Sequence, residues 1–250
     1  MGLALVLTES FILFNNDHSS LATQHMSKKT TSDLFNPALN TSFNQKFREK
    51  RFAFFLKLLS KFNPNAPVRI LDVGGLEAYW KSMNFTGFDN VHITLLNLEE
   101  VPTQGPMFKS IKGDATNLSI FKDDEFDIVF SNSVIEHLFT HENQQKMANE
   151  VRRVGKYYYV QTPNYYFPIE PHWLFPFFQF LPFRLKLFLT MNFNLGHYGK
   201  IVNREKAVSI VKEVNLLTAK EMKRLFPDGK LYNEYFGGLV KSITMYTSPE

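Results

Sequence analysis

The sequence lacks cysteine, and this absence excludes several kinds of chemistry. With no cysteine among 250 residues, the chain can form no disulfide, no cysteine-ligated zinc site and no thiol nucleophile. A protein without cysteine suits a reducing compartment, so we expect a cytoplasmic location. No metal site is predicted from the sequence.

The chain also has little charge of one sign in any single stretch. Lys and Arg total 28 against 24 for Asp and Glu, which gives a net charge of +4. No long basic run marks a nucleic-acid-binding arm, so a nucleic-acid partner is not expected. The apolar stretch 1–14 is too short to span a bilayer and is interrupted by Glu9. We interpret residues 1–44 as a partly disordered N-terminal extension and residues 45–250 as the folded domain.

The hydrophobic pattern of this domain predicts an α/β fold. Hydrophobic residues make up 44% of the chain, enough for a large core. Apolar positions recur at helical spacing from Gln45 to Phe62. After them, short apolar runs alternate with helical segments, which is typical of a parallel sheet covered on both faces. The predicted strands are 68–73, 91–96, 107–111, 126–131 and 157–161.

Three local patterns add detail. Ser133-Val134-Ile135-Glu136 has the spacing of a helix capping box, so we predict that the helix after the fourth strand begins at Ser133. Thr218-Ala219-Lys220-Glu221 is a second such box, before a short helix. Gly237-Gly238 predicts the turn of an antiparallel hairpin at the sheet edge, between strands 230–236 and 239–246.

The first predicted strand ends in a double glycine, Gly74-Gly75. Parallel sheets bind ligands at the carboxyl ends of their strands, and glycine lets a ligand approach the backbone. A tight turn without a ligand explains these two residues equally well. A dinucleotide site needs the pattern G-x-G-x-x-G. Leu76 breaks that pattern and Glu77 would repel a pyrophosphate, so a nicotinamide cofactor is not expected.

Taken in order, four segments between Arg69 and Pro163 resemble the class I S-adenosylmethionine-dependent methyltransferases, of the methyltransferase type 11 kind. They are the loop after the first strand, the end of the second strand, Gly113-Asp114-Ala115, and the stretch 126–137. The resemblance implies a three-layer α/β/α sandwich with a mostly parallel Rossmann-like sheet, and S-adenosylmethionine as cofactor. Two positions depart from the family pattern. Leu76 replaces a later glycine, and Asn97 stands where the family has an acidic residue that holds the ribose hydroxyls.

The resemblance also implies a role for each matching position. The glycine pair would line the methionine part of the cofactor, and Asn97 would hold the ribose, with Glu99 as a second candidate. Asp114 would accept from the adenine amino group. The residues implied to bind the cofactor are Asp72, Gly74, Gly75, Asn97, Leu98, Asp114, Ala115, Ser131 and Asn132.

Three residues are candidates for the catalytic chemistry. A general base is needed only when the acceptor must lose a proton, as a hydroxyl does, and oxygen is the acceptor atom we expect. His172 and Glu170 follow the fifth strand in a loop that Pro168 and Pro171 stiffen. His137 follows the fourth strand. The alternatives are a structural turn at 170–172 and a partly buried helix histidine at 137.

Residues 164–200 form an insertion in which aromatic residues and prolines are unusually dense. We expect this insertion on the acceptor side of the site, as a lid that completes the core. Alternatively, it lies on a membrane surface and admits a lipid-like acceptor. The predicted function is methyl transfer to a small-molecule, glycan or lipid-like acceptor. The alternative is a catalytically weak or inactive methyltransferase-like partner protein, because Leu76 and Asn97 depart from the pattern.

Overall fold

The centre of the fold is one seven-stranded sheet. The computed structural model describes residues 37–250, with side chains from Gln45 onward. The strands of this sheet are β1 (Val68–Val73), β2 (Val91–Asn97), β3 (Phe108–Lys112), β4 (Phe126–Asn132), β5 (Gly155–Pro163), β8 (Lys230–Phe236) and β9 (Leu239–Tyr246). Their order is β3-β2-β1-β4-β5-β9-β8, and β9 runs antiparallel to both of its neighbours while β1 to β5 are parallel. The predicted mostly parallel fold with an antiparallel edge hairpin is therefore confirmed.

Helices cover both faces of the sheet, and two short strands form a separate antiparallel pair. The first helix begins at Pro37 rather than Gln45 and ends at Leu59 rather than Phe62. Residues 1–36 of the predicted extension lie outside the described residues, and the division at residue 44 stays a prediction. The remaining elements are β6 (Ile169–Glu170), β7 (Phe175–Pro176) and the helices α1 (Pro37–Leu59), α2 (Glu77–Ser82), α3 (His141–Val154), α4 (Phe183–Asn192), α5 (Arg204–Glu213) and α6 (Ala219–Leu225).

The sheet has a hydrophobic core on each face, because successive strand side chains point to opposite sides. Ile70 belongs to one core and Leu71 to the other. The first core holds α1 and α2 against the sheet, and the second holds α3 and α6. Buried members of the first include Phe52, Phe55, Trp80, Ile128 and Phe130, and those of the second include Val129, Met147, Val151, Met222 and Phe226.

The aromatic insertion packs a smaller core of its own. Trp173 stacks on Phe178 with ring centroids 4.3 Å apart, and Tyr198 and Ile210 join the same buried cluster. This cluster holds the insertion against α5. Within residues 37–250, no helix combines the length and the apolar character that crossing a membrane requires.

The two predicted capping boxes have different outcomes. Ser133 has a left-handed backbone (φ 59°) and precedes a single 3-10 turn, whereas an N-cap residue needs extended backbone. Helix α3 begins only at His141, where the Thr140 side chain accepts from the backbone N–H of Asn143 at 3.2 Å. The prediction of a helix start at Ser133 was wrong. The box at Thr218 is confirmed, and so is the hairpin turn, whose two glycines have φ of 56° and 80°.

Candidate active site

The predicted cofactor-binding residues follow one edge of the sheet, where β1 to β4 end. Asp114 follows β3, Asn97 ends β2, the glycine pair follows β1, and Asn132 ends β4. Backbone bonds hold these ends side by side: the N–H of Gly74 donates to Leu96, and that of Gly113 donates to Asn97, both at 2.8 Å. An elongated ligand can therefore lie across four strand ends.

The double glycine is required by the protein's own packing. Gly74 has φ +74°, a region that L side chains rarely adopt, and a Cβ there would lie 2.6 Å from Cγ2 of Val134. At Gly75, a Cβ would lie 1.7 Å from Oδ2 of Asp72. Leu76 has ordinary extended backbone (φ −127°, ψ 144°) at the start of α2. No glycine is needed at residue 76, so this departure from the family pattern leaves the loop conformation intact.

The Asp72 carboxylate lies at the floor of this loop. Its side chain is buried and accepts a hydrogen bond from Nε1 of Trp80 at 2.7 Å. Burial raises the pKa of Asp72 to about 7, against the opposing effect of the Trp80 hydrogen bond. This carboxyl group therefore changes its charge near neutral pH.

Two predicted polar residues stand further along the edge. Nδ2 of Asn97 donates to the carbonyl of Gly75 at 2.8 Å, which ties β2 to the glycine loop. Oδ1 of Asp114 accepts from the backbone and the hydroxyl of Thr116, both at 2.8 Å, and Asp114 is exposed. Glu99, the second candidate for the ribose, is ion-paired with Lys112 at 2.8 Å.

A cavity opens from the glycine loop toward the aromatic insertion. Its lining includes Asp72, Gly74, Gly75 and Asn132, together with His137 and His172. Ser131 is fully buried, and Asn132 is the residue of this pair that reaches the cavity. The other predicted residues that do not line the cavity are Asn97, Leu98, Asp114, Ala115 and Glu170.

The two histidines form the centre of a buried chain of side chains. Nδ1 of His172 lies 2.6 Å from Oε1 of Glu170, and Nδ1 of His137 lies 3.0 Å from Oε1 of Glu213. The two Nε2 atoms face each other at 3.2 Å. Burial lowers the pKa of His172, but the nearby carboxylates, Glu170 first, outweigh burial and leave this pKa raised.

Glutamates fix the geometry of this chain. Glu170 also accepts from the backbone N–H groups of His172 at 2.7 Å and of Trp173 at 2.8 Å, so it orients the loop and its histidine. Glu213, at the end of α5, was not predicted from the sequence. No local pattern distinguishes it from the other charged residues of α5, and its partner lies 76 positions away.

A third glutamate, Glu136, lies beside the histidine pair. Oε2 of Glu136 accepts from the hydroxyl of Thr162 at 2.9 Å. Oε1 is buried and has no hydrogen-bond partner among the described residues. One ligand atom each from Glu136, His137 and His172 can be chosen so that all three lie within 4.8 Å of one another.

One wall of the cavity is cationic. Arg48, Arg51 and Lys241 line it, and Arg51 is paired with the buried Glu234 at 2.9 Å. Burial, with the neighbouring Arg51, lowers the pKa of Lys241 to about 8. Three cationic side chains with one buried carboxylate favour an anionic group on a bound ligand.

The chain was compared with protein families and with solved structures. Residues 72–157 match the family model described as a methyltransferase domain. The fold of the domain resembles a possible exported protein from Bordetella parapertussis, with a TM-score of 0.54 and 9% identity over 97% of this chain and 79% of that one.

Two other similar proteins cover a smaller share of the chain. A methyltransferase from Aquifex aeolicus, described as SAM dependent, has a TM-score of 0.43 and 13% identity over 76% of this chain and 86% of that one. An uncharacterized protein of Mycobacterium tuberculosis (strain H37Rv) is 40% identical over 53 residues, 21% of this chain. That match spans 18% of the relative's length.

The residues along this edge fit S-adenosylmethionine, the cofactor that the sequence resemblance implies. The buried Asp72 and the cavity-lining glycine backbone suit the charged methionine end. Asn97 and Asp114 offer oxygen acceptors further along the same edge.

Proposed function

We propose that the protein transfers the methyl group of S-adenosylmethionine to an oxygen of an acceptor bound in the cavity. One observation carries this proposal: the same cavity is lined by the cofactor loop at Gly74 and Gly75 and by the buried pair His137 and His172. A cofactor and an acceptor bound there would meet between these two walls.

The bound cofactor supplies a methyl group already activated on a sulfonium, so holding the acceptor in line accounts for much of the rate. Asn132 lines the cofactor side of the cavity. The acceptor's hydroxyl would lie against the imidazoles of His137 and His172, and one of these imidazoles would accept its proton. Glu170 acts as a positioning residue, because its carboxylate is already engaged by His172 and by backbone N–H groups.

The acceptor would be a small molecule, a glycan or a lipid-like compound. The cationic wall of Arg48, Arg51 and Lys241 supports an acceptor with a carboxylate or phosphate. The apolar lining, which includes Phe167 and Phe236, supports an acceptor with an apolar part.

Calorimetric titration with S-adenosylmethionine and S-adenosylhomocysteine tests the proposal. We expect both to bind, Asp114→Ala to weaken binding, and His172→Ala to spare cofactor binding while it lowers turnover. The exposed Asp89 provides a matched control, since Asp89→Ala should change neither. If millimolar cofactor gives neither heat nor thermal stabilisation, the enzyme proposal fails and the inactive partner protein is favoured.

We also propose that the insertion makes peripheral contact with a membrane. Large apolar side chains on its surface are exposed, namely Phe177, Phe180, Phe183, Leu185, Phe188 and Phe193. Arg184 is exposed among them and would attract anionic lipid headgroups. Flotation with vesicles that contain phosphatidylserine should carry the protein upward, and Phe183→Ser with Phe188→Ser should abolish this. Wild-type protein that stays entirely at the bottom would refute the contact.

A cytoplasmic location remains part of the proposal. The absence of cysteine supports it, because a reducing compartment gives no use for disulfides.

A further inference from the structure

We propose that Glu136, His137 and His172 bind a divalent transition-metal ion at the acceptor end of the cavity. The inference rests on the proposed function, because it gives the same histidine pair a more specific role as metal ligands. The ligand atoms would be Nε2 of each histidine and Oε1 of Glu136.

The separation of the two imidazoles fits a shared ion. Their Nε2 atoms lie 3.2 Å apart. Two nitrogens that bind the same tetrahedral Zn²⁺ ion, each at about 2.0–2.1 Å from it, lie about 3.3 Å from each other. If both Nδ1 atoms donate protons to their carboxylate partners, an ion could take the place of the proton that the two Nε2 atoms otherwise share.

The surroundings of both histidines match those of metal ligands. Metal-binding histidines almost always donate their other ring N–H to a carboxylate, a carbonyl or water, which fixes the ring and its tautomer. Here Nδ1 of His172 faces Glu170 at 2.6 Å and Nδ1 of His137 faces Glu213 at 3.0 Å. Both rings therefore present Nε2 to the same point.

Glu136 supplies an independent observation. Its side chain is fully buried, and Thr162 holds one carboxylate oxygen while the other has no hydrogen-bond partner among the described residues. A buried carboxylate oxygen without a partner is costly. An ion at the histidine pair would satisfy this oxygen and would offset the charge of the glutamates around it.

The ligand set indicates the class of metal and its use. Two imidazoles and one carboxylate suit Zn²⁺, Mn²⁺, Fe²⁺ or Co²⁺ better than Mg²⁺ or Ca²⁺, which prefer oxygen ligands. All three residues line the cavity, so a remaining coordination position can face the acceptor. An acceptor hydroxyl bound there would lose its proton more easily, as metal-bound water does.

Titration of the metal-free wild-type protein with Co²⁺ tests the site without any substitution. We expect one ion per chain, with visible absorption bands that Zn²⁺ displaces. Absence of a stoichiometric Co²⁺ or Zn²⁺ complex in the folded wild-type protein would overturn the proposal.

Variants then locate the ion. His172→Ala and Glu136→Gln should abolish or strongly weaken binding, and Glu213→Gln should weaken it by about 10- to 100-fold as an outer partner of a ligand. His92→Ala and Glu100→Gln, at exposed positions, are the matched controls and should bind normally. Binding that survives both ligand variants at wild-type affinity would place the ion elsewhere and refute this site.

The same preparation separates this inference from the proposed function. Metal binding without S-adenosylmethionine binding would leave the metal site standing and refute the methyl transfer. Cofactor binding without metal binding would refute the metal site and leave the proposed methyl transfer standing.

Discussion

The buried Asp72 predicts a specific pH dependence of stability, which Asp72→Asn should remove. In the folded chain its pKa is raised to about 7 from the ordinary value of 3.8, mainly because burial disfavours the charged form. Between these two pH values the folded state holds a proton that the unfolded state has lost. Stability therefore falls as the pH rises through this window and levels off above the folded pKa.

The magnitude follows from the two pKa values. Each pKa unit corresponds to about 1.4 kcal/mol, so burying this carboxyl group costs roughly 2 kcal/mol at pH 5 and roughly 4 kcal/mol at pH 8. The asparagine side chain of the variant would keep an oxygen that can accept from Nε1 of Trp80, and it carries no titrating charge. The stability gained by Asp72→Asn should therefore be greater at pH 8 than at pH 5, by about 2–3 kcal/mol.

Urea unfolding of wild type and Asp72→Asn at both pH values measures this difference. Comparing the two proteins at each pH cancels the titration of all other groups. Asp89→Asn, at an exposed site, is the control and should show no such pH effect. A difference between the two pH values below about 1 kcal/mol, or of opposite sign, would show that Asp72 does not titrate as a buried acid.

Three further predictions concern the cap of α3, the Arg51–Glu234 ion pair and cofactor binding. Thr140→Ala should destabilise the protein by about 1 kcal/mol through loss of the α3 cap, while Thr140→Ser should restore stability in the same urea assay. Arg51→Met should cost about 3–5 kcal/mol because it leaves Glu234 buried without its ion-pair partner, and adding Glu234→Met should recover part of this loss; an additive cost would contradict the pairing. Cofactor binding near Asp72 at pH 7 should release up to about half a proton, because the cationic methionine end favours the carboxylate. Calorimetry in two buffers of different ionisation enthalpy measures that release, and equal heats would exclude it.

The sequence predicts the sheet well because strands β1, β2 and β4 are short stretches in which apolar residues predominate. It predicts the edge hairpin for a similar reason: the double glycine at 237–238 permits positive φ at both turn residues. The start of α3 was misplaced because Ser-x-x-Glu fits a capping box by spacing alone. In the fold, Ser133 adopts left-handed backbone and Glu136 enters the core to meet Thr162.

The positions of the predicted cofactor residues follow more directly from the sequence than the arrangement around the two histidines does. The former follow strand ends that lie close in sequence to recognisable strands, so position along the chain specifies position along the sheet edge. The histidine pair instead joins two loops 35 positions apart, and Glu213 comes from a third element. No local sequence pattern predicts these contacts, because they depend on how the insertion packs on α5.

Several of the buried ionisable groups line the cavity. Asp72, Glu136 and the histidine pair lie at its lining, and each costs stability that apolar residues there would not. Such groups persist where their chemistry is used. The absence of cysteine excludes thiolate-ligated metal, but it leaves imidazole and carboxylate ligands available. Three buried glutamates surround the two imidazoles, whose Nε2 atoms face each other. Burying these groups lowers the stability of the fold, and a cation bound between them would offset that cost.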